Sequence, residues 1–340
     1  MTTIPVVGMR LHGGMAPKPS IELAVAADRH GFASLWFAEN PFNRGVLPAV
    51  AGAVLATTQI KVGIGVFNPY NRHPTLIAME IGALDELAQG RAALGLGSGI
   101  GDRVVKMGLS YDRPLGAVRD AVTIIRGMMH GETVTYTGRV FSVANVRMEY
   151  VPPRPAMPIY VAAMGDQALR VCGQVADGLM ISNMCPPGYT RRAIGILHGA
   201  AEKAGRPRPK EVVQYVLCAV SDDRREARAV ARKAIAGMLV PYWAMGAQWP
   251  AVREAMYRNS GIPENEFIAA VERLKAGDDP LAVLDDRFVD CYALAGTVDD
   301  CISAAARFGE VGVTELVVTV LGPSPADSIA RLGPAFRANA

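Results

Sequence analysis

Near-continuous apolar runs recur along the chain, at residues 5–9, 34–38, 60–67, 92–97, 158–163, 178–182, 212–220 and 315–321. They are too short for helices and rich in β-branched residues, so each reads as a strand buried on both faces. Patterns with helical spacing lie between them. Pro19-Ser20 opens one that stops at His30-Gly31, His73-Pro74 opens another that stops at Gln89-Gly90, and Gly165-Asp166 opens a third that stops at Asp177-Gly178. Alternation of this kind predicts a parallel sheet covered by helices. Eight such units in 340 residues predict an α/β fold of the (β/α)8 TIM barrel type. A doubly wound sheet is the alternative.

Two stretches depart from the rhythm. Residues 131–157 contain Val134-Thr135-Tyr136-Thr137-Gly138, which reads as a hairpin with a glycine turn. Residues 239–290 are helical in pattern but carry Pro241, Trp243, Trp249, Pro250, Pro263 and Pro280. They read as an insertion after the seventh strand, on the face where barrels do chemistry. The expected organisation is one barrel domain over 1–340 with these two excursions.

Composition narrows the function classes. The chain is 50% hydrophobic and 20% charged, with a net charge of +3, too small to argue for nucleic acid. No apolar run is long enough to span a membrane, and Met1-Thr2-Thr3-Ile4-Pro5 has no signal-peptide character. The five cysteines, Cys172, Cys185, Cys218, Cys291 and Cys301, form no CxxC pair and have no histidine at ligand spacing. They read as small buried residues in a reducing cytoplasm, with Cys185 set apart by its place in a loop, and no metal site is expected.

On a barrel, function collects where the strands end. The strand ends here supply Arg10, Leu11 and His12; Glu39 and Asn40; Gly65, Val66 and Asn68; Ser98, Gly99 and Asp102; Met164, Gly165, Asp166 and Gln167; and Ser182, Asn183 and Cys185. Glycines at two successive strand ends, around Gly65 and Gly97–Gly99, suggest a planar ligand pressed against bare backbone. Glu39 follows Leu35-Trp36-Phe37-Ala38. It reads either as a desolvated acid able to give a proton or as a cap of a rim loop. His73 reads as a helix cap in preference to a ligand contact. Gly165-Asp166-Gln167 opens a helix, where free N–H groups and the helix dipole favour an anion. Ser-His-Asp, GxSxG, Walker and HExxH motifs are absent from the sequence.

Three blocks carry a family resemblance: Val66-Phe67-Asn68-Pro69-Tyr70-Asn71-Arg72-His73-Pro74, Ala83-Leu84-Asp85-Glu86-Leu87 through Gly90-Arg91-Ala92, and Leu94-Gly95-Leu96-Gly97-Ser98-Gly99. Ala176-Asp177-Gly178, Ala295-Gly296-Thr297 and Gly309 through Thr314 follow in order. At these residues the chain resembles the luciferase-like flavin and deazaflavin oxidoreductases. Within them it looks most like the methylenetetrahydromethanopterin reductase branch, which uses coenzyme F420.

The resemblance implies a bacterial luciferase-like barrel with the ring at the C-terminal ends of its strands. It implies a non-prolyl cis peptide at Gly65–Val66 and a phosphate held near Gly165, Asp166 and Gln167. It also implies pairing of two copies through helices of the second and third β-α units. The cofactor-binding set expected on this basis is Gly65, Val66, Asn68, Ser98, Gly99, Met164, Gly165, Asp166, Gln167 and Asn183. Glu39 and Asn40 stand where the family commonly carries Asp-His or Asp-Asn. The chain departs from the reductases at Arg10, where they have a glutamate. It departs from related sugar-phosphate dehydrogenases at Ile100, where they have a catalytic glutamate. Both departures point away from those relatives' substrates.

The expected activity is hydride transfer between F420 and a small organic acceptor, in a cytoplasmic homodimer with Glu39 as acid and Asn40 as its neighbour. The alternatives are an FMN-dependent monooxygenase and a flavin-binding protein without turnover.

Overall fold

A computed structural model describes residues 4–339. The parallel strands are β1 (Val6–His12), β2 (Ser34–Ala38), β3 (Lys61–Phe67) and β4 (Ala92–Leu96), then, after the antiparallel hairpin β5 (Val134–Thr137) and β6 (Ser142–Val146), β7 (Ile159–Ala162), β8 (Gly178–Ile181), β9 (Glu211–Val220), β10 (Ala293–Gly296) and β11 (Glu315–Val320). The order β9-β11-β1-β2-β3-β4-β7-β8 closes on itself because β8 also pairs with β9. A closed parallel barrel with helices outside it is therefore the observed fold, and the doubly wound alternative falls. Strand β10 lies alongside the C-terminal half of β9, pairing Ala293–Gly296 with Leu217–Val220. It is an extra strand at the catalytic end that hydrophobic runs did not reveal, being only Ala-Leu-Ala-Gly.

The barrel interior is packed, not hollow. Trp36 is fully buried and meets Tyr160 edge to face, with centroids 5.4 Å apart. Met180, Val213, Tyr215 and Val317 fill the same cluster. The N-terminal end is plugged by charge. Glu315 accepts from Ser34 Oγ, from Trp36 Nε1 at 2.7 Å and from Lys61 Nζ at 2.6 Å. A buried carboxylate supplied with this many donors is satisfied. This leaves chemistry to the opposite end.

Both excursions are present. The hairpin turn is held by Asp120, fully buried on the helix Pro114–Met129. Its carboxylate accepts from Tyr136 Oη at 2.9 Å, Val140 N at 2.7 Å and Phe141 N at 3.1 Å. Replacing Asp120 by alanine strands those donors, and urea unfolding should show a loss of about 2–4 kcal/mol.

The second excursion differs from expectation at its start. One helix runs from Arg224 to Met245 with Pro241 inside it, so residue 239 falls mid-helix. The helices Pro250–Tyr257, Glu264–Lys275 and Asp286–Tyr292 then follow. They build a second hydrophobic cluster around Trp243, Met256, Phe267 and Phe288, which also takes in Leu217 and Ala219 of β9 and Ala293 and Ala295 of β10. All five cysteines are buried, Cys185 included, and none is in a disulfide. Among the described residues, no helix is long and apolar enough to cross a membrane.

Candidate active site

Glu39 directly follows β2 and lies against Arg72, from the loop after β3. Arg72 Nη2 donates to Glu39 Oε1 at 2.8 Å, and Arg72 Nη1 donates to Glu80 Oε1 at 3.3 Å. The Glu39 side chain is 7% exposed. The second oxygen of each glutamate is buried without a partner, and so is Arg72 Nε. Arg72 also stacks on Phe67, the last residue of β3, at 5.0 Å. One cation thus serves two carboxylates. Burial pushes the Glu80 carboxyl above its ordinary range; the Arg72 charge pulls it back, and the Glu39 charge adds to the rise. Glu39 is therefore an ion-paired residue rather than an isolated acid in an apolar setting. Glu80 is the member of the set whose carboxyl burial pushes upward. Sequence reading missed it because it sits mid-helix in Pro74–Leu87, with no strand end to mark it.

His73 caps that same helix, its Nδ1 accepting from Thr75 N at 3.3 Å, as the sequence favoured. His12 accepts from Gly14 N at 3.2 Å, and burial and the Arg10 charge both lower its pKa.

The peptide Gly65–Val66 is cis. A side chain at Gly65 would run into Tyr215 Oη and Met180 Cε, and one at Gly97 would run into Val66 Cγ2 at 2.7 Å. Tyr215 Oη donates to Gly65 O at 3.0 Å. On the Cβ side of these positions the close neighbours are the barrel's own side chains. At Gly99 (φ +79°) the neighbour is Asn68, which is 4% exposed and accepts from Tyr70 N at 2.9 Å. Ser98 and Gly99 lie beside Tyr111, whose hydroxyl donates to Gly99 O at 3.1 Å.

Aromatic rings form a wall at the mouth. Tyr70 lies 5.4 Å from Tyr111 and 6.1 Å from Phe141, and Tyr111 lies 5.8 Å from Trp249. This chain joins the β3 loop, the hairpin turn, the β4 loop and the insertion. Burial leads in pushing the Tyr70 pKa up to about 12, so its hydroxyl stays neutral.

At the end of β7, Gly165 (φ +87°) starts the helix Asp166–Val175. Its N–H donates to Tyr189 Oη at 3.1 Å. Asp166 turns to Arg192, whose Nη2 donates to both carboxylate oxygens at 2.7 and 2.8 Å, with Arg170 3.8 Å away. Two guanidiniums thus offset the one acid that argued against an anion at this helix start. Asn183 is 2% exposed, and its Oδ1 has no partner. Met164 packs between both hydrophobic clusters.

Residues 1–315 match the family described as luciferase-like monooxygenase. The chain belongs to that family. Relatives include the 5,10-methylenetetrahydromethanopterin reductases of Methanolobus tindarius, 30% identical over 91% of this chain and 93% of that one, and of Archaeoglobus fulgidus, 31% identical over 90% and 91%. Among solved structures, the F420-dependent tetrahydromethanopterin reductase of Methanopyrus kandleri superposes with a TM-score of 0.83, covering 97% of both chains at 22% identity. An F420-dependent secondary alcohol dehydrogenase with an F420-acetone adduct superposes at 0.78, covering 98% of this chain and all of that one at 19% identity.

In this luciferase-like barrel a helix start flanked by Arg192 and Arg170 suits a phosphate group, and the unpaired Asn183 oxygen suits an N–H donor. Replacing Arg192 by leucine frees the Asp166 carboxylate beside the helix start, and affinity for a phosphate-bearing ligand there, read by titration, should fall about 3- to 10-fold.

Proposed function

We propose that this protein is an oxidoreductase that transfers a hydride between coenzyme F420 and a small organic acceptor. The observation that carries the reading is the pair of buried carboxyl groups, Glu39 and Glu80, bridged by Arg72 at the mouth of a barrel belonging to this family. F420 is favoured by relatives named for F420 or for methylenetetrahydromethanopterin reduction. When bound, the deazaflavin supplies the hydride at its C5.

The chain's own residues supply the rest. The helix start at Asp166 and Gln167, with Arg192, holds the phosphate. Val66, Asn68, Ser98 and Gly99 shape the floor and side of the ring site. The aromatic wall from Tyr70 to Trp249 keeps water away from the reacting carbon. Glu39, at the strand end and held by Arg72, faces the acceptor and exchanges the proton with it, with Asn40 beside it. Arg72 bridges Glu39 and Glu80 and holds both carboxyl groups in place, and burial pushes the Glu80 carboxyl above its ordinary range. Titration with F420 and with FMN, each followed by fluorescence, tests the reading. F420 should bind at micromolar or better concentration and FMN far more weakly; the reverse order would replace this function with FMN-dependent oxygenation.

The protein acts as a homodimer in the cytoplasm on this reading. Leu55, on the helix Leu47–Ala56, is 71% exposed, and Leu76 and Met79 stand exposed on the helix Pro74–Leu87. Ile81 and Leu84 of the same helix are buried against the barrel and take no part. Light scattering should give twice the 36.1 kDa chain mass. A Leu55→Glu, Met79→Glu variant should run at the chain mass with its barrel intact.

A further inference from the structure

Arg10 stands near the inner C-terminal end of β1. Gly8, two residues earlier on the same side of the strand, faces Ser34 Oγ and Glu315 inside the barrel. The Arg10 guanidinium accordingly lies over the Tyr215 ring, 5.2 Å from its centroid. Among the described residues it has no carboxylate partner within ion-pair distance and donates no hydrogen bond, and its Nε is buried without an acceptor. Thr319 is its neighbour on β11, one step beyond the Met9–Val318 pair, and shares the inward side with Glu315 and Val317. Thr319 Oγ1 is also buried without a partner. A third polar group comes from the insertion, where Tyr242 Oη lies 2.8 Å from Ser182 Oγ at the end of β8.

An unpaired cation and an unpaired hydroxyl on adjacent strands form a binding site short of its anion. Buried donors without acceptors are costly, and more so when charged. The planar guanidinium fork matches the two oxygens of a carboxylate. The phosphate-suited helix start belongs to a different strand, at the end of β7. We propose that Arg10, with Thr319 beside it, is a carboxylate subsite. The acceptor is then a small organic acid and not a neutral carbonyl compound. This deepens the F420 reading by naming its substrate class, and rests on that reading for the acceptor's place at the barrel mouth.

The test uses the full-length protein loaded with F420, titrated calorimetrically with pyruvate, crotonate and 2-oxoglutarate. The matched neutral probes are methyl pyruvate, crotonamide and dimethyl 2-oxoglutarate. At least one acid should bind about tenfold more tightly than its neutral counterpart. Arg10→Met should abolish that preference, Arg10→Lys should keep part of it, and Thr319→Val should reduce it about threefold. F420 affinity, read separately by fluorescence, should change less than about threefold in all three variants. Equal or absent binding of all acids and neutral probes overturns the proposal. So does an Arg10→Met loss that falls on F420 itself. If Arg10→Met does not fold, Arg10→Lys and Thr319→Val decide by the same criteria. Failure of F420 to bind, with the acid preference intact in the unloaded protein, overturns the cofactor reading and leaves the carboxylate subsite standing.

Discussion

Glu39→Gln should lower the turnover number by about 100- to 10,000-fold, the usual contribution of a positioned acid or base, while F420 affinity changes little. Glutamine keeps the size of the side chain and an oxygen that can accept from Arg72 Nη2, which lies 2.8 Å from Glu39 in the wild type. What it removes is the titratable oxygen at the strand end. Glu80→Gln is the companion experiment, because burial raises the Glu80 pKa and the Glu39 charge adds to it. A donor must be protonated to act, and its protonated fraction falls as pH rises through its pKa. Turnover in the wild type should therefore decline with rising pH across the raised Glu80 value, and Glu80→Gln should flatten that decline. Near-normal turnover in Glu39→Gln together with a large loss in Glu80→Gln would move the proton donor to Glu80. Loss of cofactor binding in Glu39→Gln would make the Glu39–Arg72 pair structural.

The second large effect is expected at Gly165. Its φ of +87° costs an L-residue about 1–2 kcal/mol. A Cβ there would also stand 2.6 Å from Ala251 Cβ, on the helix Pro250–Tyr257 of the insertion. Gly165→Ala carries both penalties and should weaken F420 binding about tenfold. Gly165→Glu adds a negative charge at the helix start, opposing the phosphate directly, and should weaken binding about 100-fold or more. The difference between the two variants isolates the charge. It should shrink at high salt, because exposed charges are screened there. Equal losses in both variants would mean that no anion sits at this helix.

The barrel was legible because each inner strand is a short apolar run bounded by a glycine, proline or charged turn, and tertiary packing overrides none of them. β10 escaped because Ala293–Gly296 gains its strand geometry from β9, not from its own side chains. The insertion boundary escaped because Pro241 usually ends a helix, whereas here the helix continues past it to Met245. At the site, position was legible and pairing was not. The sequence places Glu39 at a strand end, but nothing local says that Arg72 reaches back 33 residues to hold it. Glu80 and Thr319 are equally silent in sequence, since the burial of Glu80 Oε2 and Thr319 Oγ1 without a partner is visible only in three dimensions. Nor does the glycine pattern say that Tyr215 and Met180, distant in the chain, fill the space on the Cβ side of Gly65.

The second hydrophobic cluster, around the insertion, has a consequence for how this protein can change. Its Trp243, Phe267 and Phe288 pack mainly with one another. Arg228, bridging to Asp286 at 2.9 Å and Asp290 at 3.0 Å, ties the later helices back to the long one. Through Leu217 and Ala219 the cluster touches the barrel at β9, while substitutions farther out fall on the unit's own helices. Yet the unit delivers Trp249 and Tyr242 to the mouth. Selection can accordingly retune which molecules enter while the hydride-handling strands stay fixed, so that laboratory evolution of new acceptor preferences should accumulate its substitutions in residues 241–290 before touching the barrel.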